Sequence, residues 1–249
     1  MASTGKNLIY RHRLPTRLWH WLNAVCLYVL FTSGLGIFNA HPRLYWGEYG
    51  ANFDPSWFAP GRFPGWLTLP EHYDLAMSRH WHLFTAPIFA FSLLAYMLWS
   101  LFGGHFRRDL AIGRREFTIA HIWHDLKEHA RLRLPKGEAA TRYNLLQKIA
   151  YSKLLFLFLP VLILTGLAMS PGMDAAWPWL TQMWGGRQSA RSIHFIAAWA
   201  TAIFFLVHIA MVMLAGPLNE VRSMITGWFI VPQEKAGKMM DPPDEEGEA

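Results

Sequence analysis

Of the 249 residues, 53% are hydrophobic and 16% charged, against about a quarter charged in a water-soluble domain. A mean hydropathy of only +0.14 then requires the apolar residues to be gathered in blocks. The net charge of +6 falls in the segments between those blocks, so it reads as membrane topology rather than nucleic-acid binding. The single cysteine, Cys26, excludes a disulfide framework, a cysteine-built zinc site and covalent haem attachment through Cys-x-x-Cys-His.

In chain order, a short basic N-terminus with Lys6, Arg11, Arg13 and Arg17 leads into the first apolar block, residues 18–38. No small-residue cleavage site follows it, so a retained helix is expected rather than a signal peptide. Three more blocks follow at 82–102, 149–169 and 193–214. Each is long enough to cross a hydrocarbon core about 30 Å thick. The predicted fold is therefore all-α, an integral membrane four-helix bundle. Residues 1–231 form one four-transmembrane-helix domain in this reading, and 232–249 an acidic, disordered tail.

The first loop, 39–79, carries Trp46, Trp57 and Trp66, and the third, 170–190, carries Trp177, Trp179 and Trp184. Such residues anchor at the interface with lipid or seat a partner subunit. The middle loop is basic, with a surface helix expected over 116–133 that carries His121, His124 and His129 on a solvated face. Seventeen Lys and Arg residues lie in the N-terminus, middle loop and tail, against five in the other two loops. The positive-inside rule places both termini and the middle loop in the cytoplasm. No internal repeat is evident.

Four histidines lie inside the blocks. His20 and His208 sit at the cytoplasmic level, and His82 and His194 at the outer level. His194 and His208 are fourteen residues apart, about 3.9 turns and roughly 21 Å along one helix face. One helix thus offers a ligand to each leaflet, and the pairings His20–His208 and His82–His194 follow from topology. Two imidazoles from facing helices suit a low-spin haem iron with both axial positions filled. His80 competes with His82, but it lies nearer water and points about 200° away around the helix.

Arg17, Arg79 and Arg191 each precede one of these histidines by three residues. Each would stand one turn outside its histidine, where a guanidinium neutralises haem propionates. Gly34, Gly36 and Gly166 would admit either a flat macrocycle or a close neighbouring helix. The third block, with no histidine, would be a packing helix kinked at Pro160.

These residues lie in stretches that resemble the bacterial dihaem cytochrome b561 family. That family comprises the membrane subunits of nickel–iron hydrogenases, formate dehydrogenases and thiosulfate reductases. The matching stretches are Arg17-Leu-Trp-His20-Trp-Leu-Asn23, Arg79-His-Trp-His82-Leu-Phe84, Gly104-His-Phe-Arg-Arg-Asp109, Tyr143-Asn-Leu-Leu-Gln-Lys148, Leu164-Thr-Gly-Leu-Ala-Met-Ser-Pro171 and Arg191-Ser-Ile-His194, with His208 beyond. The resemblance implies two non-covalent haem b groups, an inner one on His20 and His208 and an outer one on His82 and His194. It also implies electron exchange between a membrane quinone and a partner oxidoreductase, docked by preference at the outer face. A quinone pocket near the cytoplasmic end would draw on Gln147, Lys148 or His105.

The chain then acts as an electron-transfer subunit rather than a self-sufficient enzyme. The alternative of the same fold is a stand-alone superoxide:quinone oxidoreductase, which needs a basic outer funnel; the outer loops hold only five basic residues beside several acidic ones. A histidine-lined metal transporter, the reading from another class, needs carboxylates inside the blocks, and there are none.

Overall fold

The computed structural model describes residues 8–104, 106, 123, 127 and 145–231. Four helices dominate: α1 (Leu14–Phe38), α2 (Leu75–Phe102), α3 (Leu145–Ala168) and, after two short helices α4 (Pro171–Ala176) and α5 (Pro178–Met183), α6 (Arg187–Ala215). All four long helices have the length and apolar composition to span a membrane. They begin four to seven residues before the apolar blocks, so each carries a polar or aromatic turn at its start. Their outward surfaces are greasy: Phe91 is 71% exposed, Leu206 66% and Val25 64%. Exposed apolar area on that scale needs lipid or a partner to cover it.

The interior is held differently at its two levels. Toward the chain ends, Cys26, Phe89, Leu93, Tyr96, Leu155 and Leu159 form an apolar cluster between α1, α2 and α3, with Trp19 stacked on Tyr96 at 4.1 Å. At the opposite level the helices meet through small residues. Ser33, Ser78, Thr165, Ala168, Ala190 and Ser192 are all fully buried, which lets backbones approach closely. Gly36 belongs to this contact, since a Cβ there would collide with the Ser78 side chain.

Pro160 does not mark a simple kink. Residues Leu154–Phe158 form a π-helical turn just before it, because proline offers no N–H to the regular ladder and the turn widens to absorb the loss. The helix resumes at Leu159–Ala168.

The loop after α1 folds over the start of α6. Gln188 and Ser189 N–H groups both donate to the Gly47 carbonyl at 3.0 and 3.1 Å, satisfying donors that a helix start leaves orphaned. Ser192 Oγ donates to the Tyr45 carbonyl at 2.6 Å, and Trp57 Nε1 donates to Ser192 Oγ at 3.0 Å. Gly186, at φ 105°, lies so near Gly47 and Glu48 that a side chain would meet both.

The two ends of the described chain meet. A two-stranded antiparallel sheet pairs β1 (Leu8–Tyr10) with β2 (Trp228–Ile230). Gly216, in the left-handed region, ends α6, and Pro217 starts a further amphipathic helix, α7 (Pro217–Thr226). Arg11 Nη1 donates to Glu220 Oε2 at 3.0 Å, tying α7 to the N-terminal strand. The surface helix expected over 116–133, with His121, His124 and His129, lies outside the described residues except for Trp123 and Lys127, as does the acidic tail.

Candidate haem-binding site

Each long helix except α3 contributes an imidazole. The structure brings His20 of α1 to His208 of α6, with ring centres 6.2 Å apart, and His82 of α2 to His194 of α6, with ring centres 6.3 Å apart. His80 is exposed and joins neither pair. A metal–imidazole bond of about 2.0 Å plus about 1.1 Å from nitrogen to ring centre sets about 6.2 Å between rings on opposite sides of one metal ion. Both pairs lie at that spacing. Among the described residues no group of three or more His, Cys, Asp or Glu side chains gathers to hold a metal. Each pair could hold the iron of a haem through its two imidazoles.

The surroundings differ between levels. At the outer level, Ser33 Oγ meets His82 Nδ1 at 3.1 Å and Thr165 Oγ1 meets His194 Nδ1 at 2.9 Å. Gly34 and Gly166 follow those hydroxyl residues. A Cβ on either would stand 3.5 or 3.6 Å from the Cε1 of the same imidazole. The glycines thus divide: Gly36 serves helix packing, whereas Gly34 and Gly166 flank the histidine pair. Ser33-Gly34-Leu35-Gly36 and Thr165-Gly166-Leu167-Ala168 are a short local repeat, too brief to stand out from the sequence until the two histidines mark it.

At the inner level, Phe204 stacks on His208 at 6.0 Å, Tyr151 meets the same ring edge-on at 6.5 Å, and Trp21 meets His20 edge-on at 5.1 Å. Thr16 Oγ1, Arg17 Nε, Trp19 Nε1 and His20 Nδ1 are buried there with no hydrogen-bond partner among the described residues. Buried polar atoms normally have partners; four such atoms around one turn of α1 suit a polar group lying outside the described residues.

The three arginines have unequal settings. Arg191 is half-buried; its Nη2 donates to the His41 carbonyl at 2.5 Å, and its guanidinium lies over Phe38 at 5.9 Å. Burial beside Arg191 and Arg43 holds the His41 imidazole below its usual pKa. Arg17 lies against Gly227, where a Cβ would stand 2.8 Å from its Nη1. Arg79 is exposed. Gln147 and Lys148 are half-buried at the start of α3, one turn before Tyr151, and both interact with neighbours. His105 lies outside the described residues.

The sequence profile of the prokaryotic cytochrome b561 family matches residues 11–227. The chain belongs to that family. It is a multi-pass membrane cytochrome of electron transfer, and the family's cofactor is haem b. Among its relatives, the "Probable Ni/Fe-hydrogenase B-type cytochrome subunit" of Cupriavidus necator is 27% identical over 242 residues, covering 91% of this chain and 90% of the relative. The protein of the same name from Bradyrhizobium diazoefficiens is 25% identical over 239 residues, covering 90% and 87%. A provisionally named protein-methionine-sulfoxide reductase subunit of Azospira oryzae is 28% identical over 212 residues, covering 84% and 93%.

Proposed function

We propose that this cytochrome b561 protein binds two haems b and carries electrons across the bacterial inner membrane between a quinone and a partner oxidoreductase. The observation that carries this reading is the pair of ring separations, 6.2 and 6.3 Å, on helices that meet at two depths. His20 and His208 would hold the inner haem, and His82 and His194 the outer one. When bound, each haem supplies an iron that changes between ferric and ferrous and so passes one electron at a time. The residues hold and orient the ring, exclude water and balance its charge, with Arg17, Arg79 and Arg191 as the cations nearest the propionates. Between the two levels, Phe31 and Trp199 meet edge to face at 5.4 Å, filling the span with packed protein.

Quinone access is proposed at the cytoplasmic end, beside Gln147, Lys148 and His105, where Tyr151 connects the start of α3 to His208. The partner is proposed at the outer face. Trp66, Trp177 and Trp179 are all more than half exposed there, and aromatic residues are enriched at docking surfaces. The hydrogenase-subunit names of two relatives support a metal-containing oxidoreductase as the partner class.

The purified protein is expected to hold two haems per chain by pyridine haemochrome assay. His208→Ala and His82→Ala should each lose one, with distinct low-spin signals vanishing. An unchanged haem content in either variant rejects that ligand, and a wild-type ratio of one rejects the dihaem reading.

A further inference from the structure

The two outer histidines are gripped in the same way by two different helices, each through its Nδ1 and a hydroxyl. Ser33 Oγ–H donates to the Val29 carbonyl at 2.6 Å, and Thr165 Oγ1–H donates to the Val161 carbonyl at 2.6 Å. A hydroxyl has one proton. With that proton given to the carbonyl four residues back, only lone pairs face His82 Nδ1 and His194 Nδ1, at 3.1 and 2.9 Å. That arrangement suits an N–H donor at both nitrogens. The Leu30 and Leu162 carbonyls, one turn back on the same helices as the hydroxyls, lie a further 3.3 Å from those hydroxyl oxygens. The Nε2 atoms are left as bare lone pairs. At the inner level His20 Nδ1 is buried without a hydrogen-bond partner among the described residues.

We propose that Ser33 and Thr165 are positioning residues that lock the tautomer and ring orientation of His82 and His194, and that they lower the potential of the outer haem alone. This rests on the reading of those histidines as haem ligands. An imidazole whose far N–H is donated to oxygen is a stronger electron donor, and stronger donation favours ferric iron over ferrous. The two haems would then differ in potential partly because a hydroxyl meets each outer imidazole, whereas His20 Nδ1 has no hydrogen-bond partner among the described residues. Val has nearly the shape of Thr without the hydroxyl, which makes Thr165→Val the informative change, with Thr165→Ser as the variant that restores the bond and Ser33→Ala as the counterpart on α1.

The test is a redox titration of the full-length holoprotein, followed by optical and low-spin electron paramagnetic resonance signals, with His82→Ala identifying the outer signal by its loss. Thr165→Val and Ser33→Ala should each raise the outer midpoint by about a threefold change in the reduction equilibrium, about 28 mV at 59 mV per decade for one electron. The inner midpoint should not move, and Thr165→Ser should match wild type. Loss of the outer haem in Thr165→Val but not in Thr165→Ser supports the same role. The inference is overturned if Thr165→Val titrates as wild type, if Thr165→Ser shifts or loses haem as Thr165→Val does, or if both haems shift equally. A failure of the underlying haem reading looks different: His82→Ala would keep both haems.

Discussion

Arg191 stands one turn outside His194, yet its guanidinium is spent on the His41 carbonyl at 2.5 Å and so cannot swing freely. A fixed, half-buried cation close to the outer pair favours the form of lower positive charge, the reduced one. Arg191→Leu is therefore expected to lower the outer haem's midpoint by threefold to tenfold in the equilibrium, about 30–60 mV for one electron, and to leave the inner haem in place. Arg79→Leu should move it less, because an exposed charge is screened by water and salt. A redox titration in which both variants shift alike would reject this ranking. The Arg-x-x-His spacing was legible in the sequence as a single pattern. The different settings were not, because they depend on which loop folds back over which helix start. The hydroxyls of Ser33 and Thr165 were missed for a related reason. In any apolar helix a Ser or Thr can bond its own carbonyl four residues back, and only the neighbouring imidazole distinguishes these two.

Among the elements, the glycines separate packing from ligand space. A Cβ at Gly36 meets Ser78, whose hydroxyl in turn donates to the Leu69 carbonyl at 3.0 Å, so the α1–α2 contact cannot yield without losing a buried bond. A Cβ at Gly166 makes only ordinary contact with the His194 ring, and alanine there gains about 0.8–1.0 kcal/mol of helix propensity. Gly36→Ala should consequently lower the thermal stability of the detergent-solubilised protein by an overpacking cost of about 1–3 kcal/mol. Gly166→Ala should retain or raise stability, while the larger Gly166→Leu should strip the outer haem and leave the helices folded. Haem content and thermal melts, measured on the same preparations, check both; full outer-haem occupancy in Gly166→Leu would place that glycine with Gly36. The four apolar blocks and the histidine depths needed only hydropathy and helical pitch. The π-helical turn at Leu154–Phe158 and the amphipathic helix α7 did not register there, since the first keeps full apolar character and the second is short and mixed.

At the scale of the whole molecule, the two ends of the described chain share one side. β1 pairs with β2, and Arg11 binds Glu220 with both side chains mostly shielded from water. That pairing settles that the ends lie together but leaves open which compartment they face; the charge pattern speaks to the compartment. By the positive-inside rule, seventeen basic residues in the N-terminus, middle loop and tail against five in the other two loops predict the clasp in the cytoplasm and the tryptophan-bearing loops outside. With that expected orientation and the proposed function, the pair bonded to Ser33 and Thr165 would face the partner and the Tyr151 side the quinone. In a Cys26→Ala background, an Asp54→Cys variant in the first outer loop should react with a membrane-impermeant maleimide on intact cells. A Thr226→Cys variant at the end of α7 should react only after the membrane is permeabilised. Both positions are exposed, so burial does not explain a silent site. Labelling in the reverse order would invert the bundle and place the basic face outside, and the assignments of inner and outer haem would exchange.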